Sequence, residues 1–273
     1  MMKKTAGERM AEARRRADLT QLNVADELGV SYQAVSSWER DEYLPDTKNL
    51  VGLARLLGVS VNSLTEDSPY DFETKREIFN WKHQKTFVKT TASTLGMTNT
   101  LSALEFAVEA HKDQKRKNSD IPYISHPLML ACDCLSMGIR EDCVIAACLL
   151  HDVIEDCGVT EDQLPVDDET RRLVMLMTHP DEGNDRKAML EKYFRGLSSD
   201  PKAALIKCVD RYNNLTTMSW GLRRERQLRY IAETEQYVLP LVDVLKKRPE
   251  YNSAAWSLRY RIESMIDVYK RLI

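Results

Sequence analysis

Asp142-Cys143-Val144-Ile145-Ala146-Ala147-Cys148-Leu149-Leu150-His151-Asp152-Val153-Ile154-Glu155-Asp156-Cys157 is the stretch that decides the fold. It reads as an apolar helix that ends in a knot of polar side chains, with Gly158 as its terminator. At about 100° per residue and with His151 at zero, Glu155 falls near 40°, Asp152 near 100° and Asp156 near 140°. The four share one wedge, and Val153 and Ile154 point behind it. Further along, Ala203 to Leu215 forms another helical pattern, in which Asp210 and Asn214 lie one turn apart on a single face. Upstream, His126 stands in Pro122-Tyr123-Ile124-Ser125-His126-Pro127, ahead of a helix running through Leu128, Met129, Ala131 and Leu135.

Burying these polar groups beside Leu149, Leu150, Ile206 and Val209 is costly without a partner. A divalent cation held by His126, His151, Asp152 and Asp210 supplies one. Two imidazoles and two carboxylates suit manganese or iron and leave zinc, cobalt and nickel open. The chain has no Cys-x-x-Cys pair, which argues against a structural zinc site. Cys132, Cys134, Cys143, Cys148 and Cys157 fall at apolar helix positions and read as small buried thiols.

The rest of the chain is helical in texture, with strand-type alternation almost absent, so the expected fold class is all-α. Three regions are expected. Residues 1–66 carry short amphipathic helices with tight turns, and 67–97 form a linker with one amphipathic helix. Residues 98–273 carry longer helices and most of the His, Cys and Trp. At 273 residues the chain is long enough for two cores. Its formal net charge of −3 gives no overall pull toward nucleic acid or anionic lipid. No apolar run reaches the 18 or so residues of a membrane span. The start has no apolar stretch after its basic residues, and six cysteines then read as reduced thiols. A cytoplasmic, membrane-free protein is expected.

Residues 1–66 include Leu19-Thr20-Gln21 … Ala25 … Leu28-Gly29-Val30-Ser31 … Val35-Ser36-Ser37-Trp38-Glu39-Arg40, then Pro45, Leu50, Leu53-Ala54 and Leu57-Gly58-Val59-Ser60. Thr20 and Ser31 are N-cap candidates, and Gly29 supplies a left-handed residue between helices. This pattern resembles the five-helix lambda-repressor-like (Cro/cI, XRE-type) helix-turn-helix domain. The resemblance implies that Gln21 contacts a DNA phosphate and that Tyr32, Gln33, Ser36 and Ser37 face base edges, Gln33 suiting adenine. A homodimer reading two half-sites is the expected assembly. Nine basic and ten acidic side chains leave this segment at −1, so DNA affinity should be weak in a monomer. A module kept for protein contacts is the alternative.

The His126, His151-Asp152 and Asp210 pattern resembles the signature of the HD phosphohydrolase superfamily. With Gln114-Lys115-Arg116-Lys117, the Pro122 to Pro127 motif, Ile206 to Leu215 and Glu233 to Leu241, residues 98–245 are similar to the hydrolase domain of RelA/SpoT homologues. Ile273 leaves no room for an alarmone synthetase domain, so a small alarmone hydrolase joined to a repressor-type module is expected. The resemblance implies manganese-dependent removal of the 3′-pyrophosphate from guanosine tetra- or pentaphosphate. His126, His151, Asp152 and Asp210 would hold the metal, and Glu155 and Asp156 would position and deprotonate the water. Arg116 would stack on the base, Lys117 would add charge, and Asn214 would help hold the ribose. Where the family often has Gly after the Arg-Lys pair, this chain has Asn118-Ser119-Asp120-Ile121.

Alternatives stay open at this point. The same site could act on an adenosine alarmone (ppApp), NADPH, a nucleoside monophosphate or a pyrophosphorylated RNA end, in an antitoxin-like role. A transcriptional regulator sensing a nucleotide is the other class. His111 reads as structural, His83 and His179 as surface residues, and Met175, Met177 and Trp256 as core.

Overall fold

The computed structural model describes residues 4–65, 80–117, 119–179, 185–222 and 224–272. Among these the chain is all-α, apart from an isolated antiparallel bridge between Lys115 and Pro122. No helix among them is long and apolar enough to cross a membrane. The chain divides into two compact units: Met1–Arg76 with Thr217–Arg229, and Glu77–Thr216 with Tyr230–Leu272.

In the first unit, five helices follow in order: α1 (Ala6–Arg16), α2 (Gln21–Leu28), α3 (Tyr32–Glu39), α4 (Thr47–Leu57) and α5 (Val61–Thr65). Thr5, Thr20, Ser31 and Asp46 cap the first four by accepting backbone N–H bonds. Gly29 (φ 65°) and Gly58 (φ 67°) end α2 and α4 in the left-handed conformation that L side chains resist. Met10, Val24, Ala25, Val35, Trp38, Leu53 and Leu64 meet in one core. Gly7 lets α1 approach the end of α3: a Cβ there would stand 2.6 Å from the Trp38 carbonyl oxygen. Asp41, itself at φ 58°, accepts the Gly7 N–H at 2.7 Å and so caps α1 from a distance.

The second unit is built around α9 (Asp142–Leu150), whose residues Cys143 to Leu150 are all buried. A helix apolar on every side belongs at the centre of a bundle. Against it pack α7 (Thr98–Ala110), α8 (Ser125–Ser136) and α11 (Asp168–Met177). Asp142 joins two of these: its carboxylate accepts the Asn99 N–H at 2.9 Å and the Thr100 N–H at 2.7 Å, capping α7, which has no side-chain cap of its own. The helix α6 (Trp81–Leu95) packs on α7 and α8. The segment read as a linker is therefore, from residue 80 on, a helix of this unit, because Val88 and Ala92 are buried against it. Residues 67–79 of that expected linker lie outside the described residues. The unit continues through α10 (Val153–Cys157), α12 (Arg186–Ser198) and α13 (Pro201–Gly221) as far as Thr216, and resumes at Tyr230 near the end of α14 (Arg224–Glu233). A π-helical turn at Thr234–Val238 leads into α15 (Leu239–Lys246) and α16 (Asn252–Leu272).

Two expectations about burial fail. Trp256 is 70% exposed and stacks on exposed Tyr260 along α16 instead of filling the core. Met175 is 40% exposed, whereas its near neighbour Met177 is buried. Periodicity cannot distinguish an apolar stripe that meets the bundle from one beside it.

Candidate metal centre and nucleotide site

The expected single helix through Cys157 is broken. The α9 hydrogen-bond ladder stops at Leu150, His151 and Asp152 form a turn, and α10 starts at Val153. The break replaces the continuous-helix wedge, and tertiary contacts now aim the side chains. His151 Nδ1 lies 3.0 Å from the Cys148 carbonyl oxygen, which can only accept, so Nδ1 carries the proton and Nε2 faces inward. His126 is the second residue of α8, where a following Pro127 costs no helical hydrogen bond. Both imidazoles are 2% exposed.

The four expected ligands converge. His151 Nε2 is 2.9 Å and His126 Nε2 3.6 Å from Asp152 Oδ2. Asp210 Oδ1, from α13, is 3.3 Å from His126 Nε2 and 3.8 Å from His151 Nε2. His126, His151 and Asp152 present ligand atoms within 4.8 Å of one another. Although Asp152 is close, His151 Nε2 is buried without a well-directed hydrogen bond. Lone pairs and carboxylate oxygens facing one point need a positive charge between them, and this donor set fits a divalent cation. Metal-free, the site asks for a proton instead. Burial works to lower the His151 pKa, but the Asp152 and Asp210 charges overcome it and raise the value to about 9. Burial opposes ionisation of both carboxylates, yet His151 beside Asp152 and Lys207 beside Asp210 hold them below the usual range.

Three residues that the sequence reading quoted without a role support this centre. The Tyr123 hydroxyl donates to Asp152 Oδ2 at 2.6 Å. Lys207 Nζ donates to Asp210 Oδ2 at 2.9 Å. Asn213 Oδ1 lies 2.6 Å from His126 Nδ1. Such outer contacts orient ligands, and their spacing along the chain (Lys207 three before Asp210, Tyr123 three before His126) was the available signal.

Of the remaining expected residues, Asn214 and Arg116 contact the centre or its supporting groups. Asn214 Nδ2 donates to Asp210 Oδ1 at 2.6 Å. Arg116 is mostly buried, which lowers its pKa, and its Nη1 donates to Asn213 Oδ1 at 3.4 Å. Lys117 is exposed. In the expected Gly position the turn is closed by Ser119, whose hydroxyl donates to the Arg116 carbonyl at 3.1 Å and accepts the Ile121 N–H at 3.3 Å; Asn118 lies outside the described residues. Glu155 accepts the His179 N–H at 2.5 Å, and burial raises its pKa. Asp156 is exposed, and its backbone carbonyl accepts from Gln114 at 2.9 Å. His179 is exposed, as expected, but has a partner: its ring stacks on Tyr193 at 4.2 Å, and partial desolvation there with the nearby Lys207 lowers its pKa to about 4.

In the first unit, Tyr32 and Gln33 are exposed on the first turn of α3, and Ser36 is half-buried beside Arg40. Ser37 is only 8% exposed, with Arg40 Nη2 3.5 Å from its hydroxyl, so it presents little surface to a base edge. Gln21 donates to Glu39 at 2.7 Å, and Glu39 also binds Arg14.

These two arrangements define the class: a helix-turn-helix domain of the XRE type and a helical bundle in which an H…HD…D set of residues converges. Residues 103–240 match the HD domain family, and the chain belongs to it. Residues 10–64 match a helix-turn-helix family. The chain is 31% identical over 166 residues to a guanosine-3′,5′-bis(diphosphate) 3′-pyrophosphohydrolase of Aquifex aeolicus, covering 59% of this chain and 22% of that one. It is 32% identical over 171 residues to a GTP pyrophosphokinase of Streptomyces coelicolor, covering 59% and 19%. The chain thus spans about a fifth of the length of these relatives. Its fold matches a solved structure described as a metazoan ortholog of SpoT that hydrolyzes ppGpp, with TM-score 0.52, 20% identity, and coverage of 64% of this chain and 97% of that one.

Proposed function

We propose that the second unit is a manganese-dependent hydrolase that removes the 3′-pyrophosphate from guanosine tetra- or pentaphosphate. The observation that carries this reading is the convergence of His126, His151, Asp152 and Asp210 in a chain related to a 3′-pyrophosphohydrolase. Water adds to the 3′-phosphorus, the bond to the ribose 3′-oxygen breaks, and the products are pyrophosphate and GDP or GTP. The cation, when bound, supplies positive charge to the phosphoryl oxygens and acidifies water. The residues of the chain do the rest. Glu155, aimed by its bond to the His179 N–H, takes the proton of the attacking water, with Asp156 beside it. Lys207 and Tyr123 each occupy one carboxylate oxygen and so fix the direction of Asp210 and Asp152. Arg116 offers a planar guanidinium to the base, and Asn214 polar contacts to the ribose.

The first unit reads DNA through Tyr32, Gln33 and Ser36, with Gln21 near the backbone, as a homodimer. Exposure of Tyr32 and Gln33 at the start of α3 supports this assignment. Arg40 is paired with Glu42 at 2.9 Å, which leaves fewer cations for phosphates, so binding is weak and its salt dependence shallow.

A nucleotide panel of ppGpp, pppGpp, ppApp, NADPH and dAMP, incubated with manganese-loaded protein and resolved by ion exchange, tests the reaction. Conversion of ppGpp to GDP is expected. Turnover of another member alone replaces the substrate and leaves the reaction class intact.

A further inference from the structure

Asn213 is 5% exposed and stands on α13 between two polar partners from other parts of the unit. Its Oδ1 lies 2.6 Å from His126 Nδ1 and 3.4 Å from Arg116 Nη1. A guanidinium has donors only, so the amide atom facing it must be the oxygen. That same oxygen faces His126 Nδ1, which must then carry the proton, leaving the Nε2 lone pair directed at Asp152 and Asp210. An amide that turned over would present its NH₂ to Nδ1 and force the proton onto Nε2, where a cation cannot share the nitrogen.

We propose that Arg116, through Asn213, sets the His126 tautomer and thereby the affinity of the metal centre. Asn213 is a positioning residue with two partners, and the group offered to the nucleotide base also keeps the imidazole ready for the cation. Only the link to the base rests on the nucleotide reading; the link to the metal stands without it. The consequence runs against simple electrostatics. Removing a positive charge near a cation site should tighten the cation, whereas here Arg116→Ala loosens it, because the amide is released to turn.

The test measures Mn²⁺ affinity of the full chain by calorimetry, without nucleotide. Arg116→Ala should weaken Mn²⁺ about tenfold, at the lower end of what outer contacts to metal ligands are worth. Asn213→Asp cannot turn a donor toward His126, since a carboxylate has none. In the N213D background, Arg116→Ala should therefore no longer weaken Mn²⁺ binding, leaving it unchanged or tighter through the lost positive charge, and the coupling shows in the double-mutant cycle. Asn213→Leu removes the acceptor and should cost about 10–100-fold. Circular dichroism checks that each variant is folded, and if N213L is not, the cycle of R116A with N213D still decides. Unchanged or tighter Mn²⁺ binding by R116A, or the same loss in both backgrounds, overturns the proposal. Failure to hydrolyse ppGpp with these affinities as expected would overturn the substrate assignment alone.

Discussion

Lys207 Nζ lies 2.9 Å from Asp210 Oδ2, both side chains less than a tenth exposed and about one turn apart on α13. Burial alone would discharge either partner. Asp210 instead raises the Lys207 pKa, and Lys207 lowers that of Asp210. The pair gives the carboxylate two distinct oxygens: Oδ2 toward the lysine, and Oδ1 toward His126, His151 and Asn214.

Breaking such a pair by removing one partner strands a buried charge and costs about 3–5 kcal/mol. Lys207→Met should therefore destabilise metal-free protein by about that amount in urea unfolding. Manganese should restore part of the loss, because a bound cation replaces the missing positive charge beside Asp210. An equal loss with and without manganese would place Lys207 outside the centre.

The metal-free protein should lose stability as pH rises. The folded-state pKa of His151, about 9, lies above the unfolded histidine value of about 6.5. Folded protein binds the extra proton between these values, so the contribution is complete below pH 6.5 and disappears through pH 9. Integrated, it is on the order of 3 kcal/mol. Asp152 acts at the other end: its depressed pKa adds stability above the unfolded carboxylate range and loses it in acid. Thermal melts in chelator at pH 6.5 and 9.5 should show a lower Tm at 9.5, and manganese should reduce the difference. A Tm that rises over this interval would contradict the assigned His151 environment.

Much of the centre was legible because its chemistry is written in residue types. Two His and two Asp at the ends of apolar helices have few other uses. The helix break at His151-Asp152 was not legible, since the local pattern through Cys157 is equally helical. Nor were the roles of Tyr123 and Asn213, which depend on separate chain segments meeting; Lys207 stands one turn from Asp210 on the same helix, but it reads as an ordinary polar residue until its burial is known. The same limit explains Ser37, taken as exposed beside Ser36 yet only 8% exposed, with Arg40 against its hydroxyl. In α6, Val88 and Ala92 form an apolar face whose destination only tertiary packing reveals.

Gly7→Ala probes the first unit. The added methyl would stand 2.6 Å from the Trp38 oxygen and 2.7 Å from the Glu39 oxygen, both backbone atoms at the end of α3. Relief requires moving α1, at about 1–3 kcal/mol. Hydrogen exchange of α2 and α3 amides should accelerate, while exchange in α9 stays unchanged. Unaltered exchange in α2 and α3 would contradict the close approach.

Trp256→Ala should change stability by no more than about 0.5 kcal/mol, as for a surface residue away from special contacts. Guanidinium unfolding measures this directly. A loss of 3 kcal/mol or more, the range for a buried Trp, would return Trp256 to the core.

Gln33→Ala should remove about 1–3 kcal/mol of discrimination against a substituted base in the half-site. Competition binding at fixed salt, after selection of an operator from random duplexes, gives the value. Equal binding of wild type and variant to every selected site would remove base reading from α3.

Pyrophosphate release from ppGpp, followed while manganese is titrated into metal-stripped protein, tests the central claim most directly. Release should rise with manganese occupancy, yield one GDP per pyrophosphate, and fall to the no-enzyme background in folded His151→Ala/Asp152→Ala protein. No release by wild type with manganese demonstrably bound, or equal release by the double variant, would contradict it.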